Sequence, residues 1–62
     1  MTNGDKVAIK HPCFKTMTFG TIKHVYSGGR FENEYEVLID GELEPRYFLE
    51  HYLVPIYNGG KE

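Results

Sequence analysis

Cys13 and the three histidines, His11, His24 and His51, are the residues of this chain best suited to covalent or metal chemistry. A thiolate beside an imidazole base could act as a nucleophile, but such catalysis also needs an oriented base and oxyanion donors. His11 precedes Cys13 by two positions, and nothing else in the sequence marks the missing parts. The ordinary explanation of Cys13 is a small loop residue. Metal binding needs two or three imidazoles or carboxylates converging at about 2 Å from the ion. The histidines are scattered, with no His-x-His or Cys-x-x-Cys spacing, so surface or half-buried polar side chains account for them. His24, on an expected strand, is the best placed to do more. Ser27-Gly28-Gly29 runs into Arg30 and Phe31 instead of a helix, and so reads as a hairpin turn and not a phosphate cradle. No catalytic residue, metal ligand or cofactor is assigned, and no enzymatic activity is expected.

The remaining chemistry is that of contact. Five Tyr and four Phe in 62 residues exceed what a core this small can absorb. Tyrosine presents a large apolar face and a hydroxyl with little conformational entropy to lose, which suits binding surfaces. Phe14, Tyr26, Phe31 and Tyr52 are the candidates for a contact patch beside the long loop and the second turn. Charge is divided along the chain, with lysines early and acids between Glu32 and Glu50. A solvated surface is the ordinary explanation. Two functional alternatives have opposite signs. Glu32, Glu34, Glu36 and Glu44 could dock on a basic protein surface. Lys10, Lys15, Lys23 and Arg30, with nearby rings, could track a nucleic-acid backbone. The net charge of −2 weighs mildly against a sequence-independent nucleic-acid binder.

These residues must be positioned by a very small scaffold. A chain of 62 residues allows one domain, spanning residues 1–62 with loose ends at 1–4 and 58–62. One cysteine precludes an intramolecular disulfide, so the apolar core must hold the fold. The lone thiol fits a reducing compartment, no apolar leader follows Met1, and no apolar run reaches membrane-spanning length. A cytoplasmic location, without membrane contact, is therefore expected.

Alternating runs indicate strands at residues 6–10, 19–26, 31–39, 43–48 and 53–56. Val7, Ile9, Ile22, Val37 and Ile39 should share one interior. Gly20 suggests a bulge or sharp bend, and the parity change from Ile22 to Val25 predicts a bulge near His24. Residues 49–52 read as a single helical or 3-10 turn. A helix over 45–53 competes, but nine residues without a second helix to pack on are marginal. At Asp40-Gly41 a three-residue loop would pair Ile39 with Leu43, Val37 with Pro45 and Tyr35 with Tyr47. It keeps apolar residues on one face, so a type I turn with a Gly41 bulge is expected, with Glu36 opposite Arg46. The whole describes an all-β, five-stranded SH3-like barrel with a one-turn 3-10 helix before the last strand.

Gly4-Asp5-Lys6-Val7, Gly20-Thr21-Ile22 and Leu53-Val54-Pro55-Ile56 resemble the marks of SH3-like barrels of the KOW, Tudor and related groups. Tyr47-Phe48-Leu49-Glu50-His51-Tyr52-Leu53-Val54-Pro55 is similar to the end of small phage and prophage SH3-like proteins of the YorP type. That resemblance implies a phage-related accessory protein. In length and outline the chain also resembles the plasmid-encoded dihydrofolate reductases built from four SH3-like protomers. Those carry a Val-Gln-x-Tyr stretch in a shared pore, whereas Glu44-Pro45-Arg46-Tyr47 has no Gln, nor has the rest of the sequence.

The expected function is non-catalytic binding of a host protein, by a monomer or homodimer. The alternatives are a KOW- or Tudor-like nucleic-acid binder and an oligomeric enzyme with a pore on its symmetry axis.

Overall fold

The structure is a computed structural model and describes residues 1–56. Five strands, β1 (Lys6–Ile9), β2 (Thr18–Tyr26), β3 (Glu34–Ile39), β4 (Arg46–Leu49) and β5 (Leu53–Pro55), form one antiparallel sheet in the order β4-β3-β2-β1-β5. A single 3-10 turn, η1 (Glu50–Tyr52), separates β4 from β5. Residues 45–53 therefore contain no α-helix, and the element before the last strand is the expected single turn. The expected loose tail at residues 58–62 lies outside the described residues. At the other end, residues 1–5 make a turn. Asp5 N–H donates to the Thr2 carbonyl at 3.0 Å, and Gly4 N–H donates to the Ile22 carbonyl at 2.7 Å.

The two edge strands are consecutive in the chain, and this forces the sheet to curl. Leu49 and Leu53 are four Cα steps apart, at most about 14 Å. The edges of a flat five-stranded sheet would stand about 19 Å apart. η1 sits across the gap: Glu50 N–H donates to the Asn33 carbonyl at 3.0 Å, and Lys10 N–H donates to the Tyr52 carbonyl at 2.7 Å. Among the described residues no ladder joins β4 to β5.

Val7, Ile9, Ile22, Tyr35, Val37, Ile39, Phe48 and Leu53 form the buried cluster, which includes the shared interior of Val7, Ile9, Ile22, Val37 and Ile39 read from alternation. The predicted irregularity in β2 is present, with the pairing to β3 shifting between Ile22 and His24. Past it, His24 and Tyr26 point outward while Val25 packs on the core. Gly20 is a point of close approach and not a bulge. A Cβ there would lie 2.6 Å from Val37 Cγ1 and 2.8 Å from the Leu38 carbonyl oxygen.

The β3–β4 hairpin differs from the sequence expectation by one residue. Val37 pairs with Arg46, Glu36 with Tyr47 and Tyr35 with Phe48. Tyr35 and Phe48, 3% and 7% exposed, thus meet inside, and Tyr47 turns outward. The expected register would have buried Tyr47 and exposed Phe48, the ring without a hydroxyl. Burying Phe48 is the better solution because it carries no polar group to satisfy. The connection is longer in consequence, and Leu43, expected inside, is 97% exposed. Glu42 N–H donates to the Ile39 carbonyl at 2.9 Å, and Gly41 has φ +90° at the third position, the mark of a type II turn. Arg46 pairs with Glu42, Nε to Oε1 at 3.0 Å, and not with Glu36.

Candidate functional site

The register of β2, β3 and β4 builds an outer face in two rows. His24, Glu36 and Tyr47 lie side by side, and Tyr26, Glu34 and Leu49 form the next row. Strand alternation sends all six outward, behind the buried row of Tyr35 and Phe48. Tyr26 and Tyr47 come from strands separated by β3, yet their ring centroids are 6.1 Å apart at 52°. They converge over Glu36. The Tyr26 hydroxyl donates to Glu36 Oε1 at 3.1 Å, and His24 lies 4.4 Å from the Tyr26 ring. The Glu36 hydrogen bond, then partial burial, hold the Tyr26 hydroxyl above the ordinary tyrosine range, because ionisation would place two negative charges together. Tyr26, Tyr47 and Leu49 remain 41%, 56% and 40% exposed. The ion pairs among the described residues, Lys6–Asp40, Arg46–Glu42 and His51–Glu32, involve neither Glu34 nor Glu36.

A second cluster sits where loop 10–17 meets η1. The His11 ring lies 4.5 Å from Tyr52, 6.0 Å from Phe48 and 6.3 Å from Phe14, and Phe14 is 6.1 Å from Phe48. Phe14 and Tyr52 pack on the core, and the Arg46 guanidinium lies 5.8 Å over the Phe14 ring. Next to this cluster Glu32 clamps η1. One oxygen accepts from His51 N–H at 2.8 Å, and the other lies 2.7 Å from His51 Nδ1. The imidazole contact, then the backbone donor, hold the Glu32 carboxyl below the usual glutamate range. Lys10, Lys15, His11, Phe14 and Met17 line a shallow depression of about 350 Å³ beside the same loop.

The four aromatic candidates are therefore divided. Tyr26 belongs to the outer face, Phe14 and Tyr52 to the loop–η1 cluster, and Phe31 stands in the 28–31 turn, 80% exposed. Of the acidic candidates, Glu34 and Glu36 share the outer face, Glu44 lies in the β3–β4 connection, and Glu32 is engaged with His51 of η1. Of the basic candidates, Lys10 and Lys15 share the depression, whereas Lys23 lies at the β2 bulge and Arg30 in the 28–31 turn. Tyr47 was missed because the expected register turned it inward; placing Phe48 inside would have found it. Cys13 is exposed, and its N–H donates to His11 Nδ1 at 3.1 Å. Among the described residues no group of three or more His, Cys, Asp or Glu is arranged to hold a metal, and no helix is long and apolar enough to cross a membrane. Comparison with protein-family models, with curated proteins and with solved structures finds no match.

Proposed function

We propose that this chain is a non-catalytic binding module that docks on a protein partner through the outer face of β2, β3 and β4. The convergence of Tyr26 and Tyr47 over Glu36 carries this reading. A sheet face whose rings remain partly exposed, with no covering element among the described residues, has the composition of an interface core. The similarity of residues 47–55 to phage proteins of the YorP type supports a phage-related accessory protein that acts on a host protein in the host cytoplasm. A monomer or a homodimer fits this role.

Nucleic acid is the second reading, favoured by Lys10 and Lys15 beside His11 and Phe14. Its proposed stripe is broken, however. Ile9 pairs with Thr18 at one end of β2, and Lys23 lies five residues further along, up to about 16 Å away.

The test is site-specific photo-cross-linking in the native cell, with p-benzoylphenylalanine placed at position 47 and, as control, at position 17. A discrete protein adduct from position 47 and none from position 17 supports the proposal. Nucleic-acid adducts, or equal labelling from both positions, would overturn it. A tetrameric ring in light scattering would instead favour the pore-enzyme alternative.

A further inference from the structure

We infer that the occupant of the outer face is an arginine side chain of the partner protein, its guanidinium lying on the Tyr26 and Tyr47 rings and bonded to Glu36. The inference rests on the reading of this face as a protein contact and adds the chemistry of what is contacted.

Three observations converge on a cation. The faces of Tyr26 and Tyr47 carry negative quadrupole potential, and their centroids are 6.1 Å apart, so one planar group can touch both rings. Glu36 lies beneath them. Oε1 accepts from the Tyr26 hydroxyl, which leaves the second oxygen for an external donor. Glu34, two residues along the same face of β3, adds a second carboxylate, and neither acid is paired with a cation of the described residues.

The shape of the site favours arginine over lysine. A guanidinium is planar, stacks on rings and presents its donors in a fork, so it can lie on tyrosine and reach a carboxylate at its edge. An ammonium is a compact, strongly hydrated charge that gives up more water for the same contact. The chain already contains such an arrangement in miniature at its other aromatic cluster. There Arg46 lies 5.8 Å over the Phe14 ring while its Nε and Nη2 bond Glu42 at 3.0 and 3.1 Å. The outer face offers rings and carboxylates without the arginine.

The experiment is an NMR titration of the full chain with three short peptides that differ at one central position, carrying arginine, citrulline or lysine. Citrulline keeps the shape of arginine and removes its charge. The arginine peptide should shift the amides of His24, Tyr26, Glu36 and Tyr47, with the citrulline peptide about three- to tenfold weaker and lysine between them. Tyr47→Leu keeps apolar area but loses the quadrupole, and Glu36→Gln keeps an acceptor for the Tyr26 hydroxyl but loses the charge. Both should weaken the arginine peptide toward the citrulline value, with amide spectra confirming that each variant is folded. Equal shifts from arginine and citrulline, arginine shifts confined to Glu42 and Glu44, or no shifts at all would overturn the inference. So would an oligonucleotide that displaces the arginine peptide from these amides. If position 47 still cross-links to a protein while arginine and citrulline behave alike, the inference about arginine falls and the protein-contact reading stands.

Discussion

The two aromatic clusters lie on opposite sides of β4 and use neighbouring residues of that strand for opposite purposes. Phe48 points inward and joins His11, Phe14 and Tyr52, where rings close the core beneath loop 10–17. Tyr47 points outward and joins Tyr26, His24 and Glu36 on a face that no element of the described residues covers. Their residue types are almost the same. What separates them is strand parity and the path of one loop. Aromatic content alone therefore says little about where a small β domain binds. The informative quantity is which rings remain exposed after the sheet has curled and its loops have folded back.

The sharpest way to break this contrast is to truncate the two neighbours in turn. Phe48→Ala should cost about 3–5 kcal/mol, since it removes a buried ring from a core that cannot easily refill the space. A domain of this size has a total stability of roughly 3–9 kcal/mol, so the loss is a large part of the whole. Tyr47→Ala, 56% exposed, should change stability by no more than about 1 kcal/mol. Urea denaturation of the two variants checks both values. Comparable losses would mean that Tyr47 is a structural residue and that the outer face is not free.

Gly20→Ala probes the close packing of β2 on β3. The added methyl would meet Val37 Cγ1 at 2.6 Å and the Leu38 carbonyl oxygen at 2.8 Å, and the backbone atom cannot rotate away. A loss of about 1–3 kcal/mol is expected in thermal or urea unfolding. The irregular pairing between Ile22 and His24 separates Gly20 from the outer rings, so nuclear Overhauser contacts between Tyr26 and Tyr47 should persist in this variant. Their disappearance would show that the outer face depends on close packing at Gly20.

Most of the scaffold was legible in the sequence because it is written in local patterns. Val7, Ile9, Ile22, Val37 and Ile39 reveal their inward parity by alternation, and the parity change after Ile22 exposes the bulge. The short run between Leu49 and Leu53 has room for one turn. The β3–β4 register was not legible, because three- and four-residue connections differ by a single slip. The deciding energy comes from Phe48 meeting Tyr35 across strands, which is not a local signal. That slip exchanged Tyr47 for Phe48 and hid the β4 edge of the outer face, although Tyr26, Glu34 and Glu36 are candidates from the sequence. The Glu32–His51 clamp was invisible for a related reason, since it joins residues 19 apart through the curl of the chain. Phe14 and Tyr52 look like contact residues in the sequence because composition cannot tell a loop that folds back from one that projects.

Acid should separate the two clusters. The Glu32 carboxylate ties the 28–33 segment to η1, and its pKa is lowered by the His51 side chain and then by the His51 backbone donor. Its stabilising contribution is thus fully present above the ordinary glutamate value of 4.5 and is lost as pH falls through the lower folded value. Glu32→Gln should reduce the acid dependence of urea stability between about pH 5 and pH 3, with a modest effect at pH 7. Amides of η1 should report the change, while those of Tyr47 and Glu36 should not follow it. Identical acid profiles for the variant and the parent would remove the clamp from the picture.

The smallest effect lies at the alkaline end and belongs to the outer face. The Glu36 hydrogen bond, with partial burial, raises the Tyr26 pKa above 10.0. A raised pKa stabilises the fold fully below pH 10.0, and that contribution is lost as pH rises through the folded value. Ring-carbon shifts followed by NMR should show Tyr26 titrating later than an ordinary tyrosine, and Glu36→Gln should bring it back toward the ordinary value. A bound guanidinium should act in the same direction as that substitution, because it neutralises the carboxylate that makes tyrosinate unfavourable. Tyr26 thus doubles as a sensor of whatever occupies the face. If its titration is ordinary from the start and unmoved by Glu36→Gln, hydroxyl and carboxylate are not in contact in solution, and the face lacks the anchor that sets it apart from the cluster around Phe48.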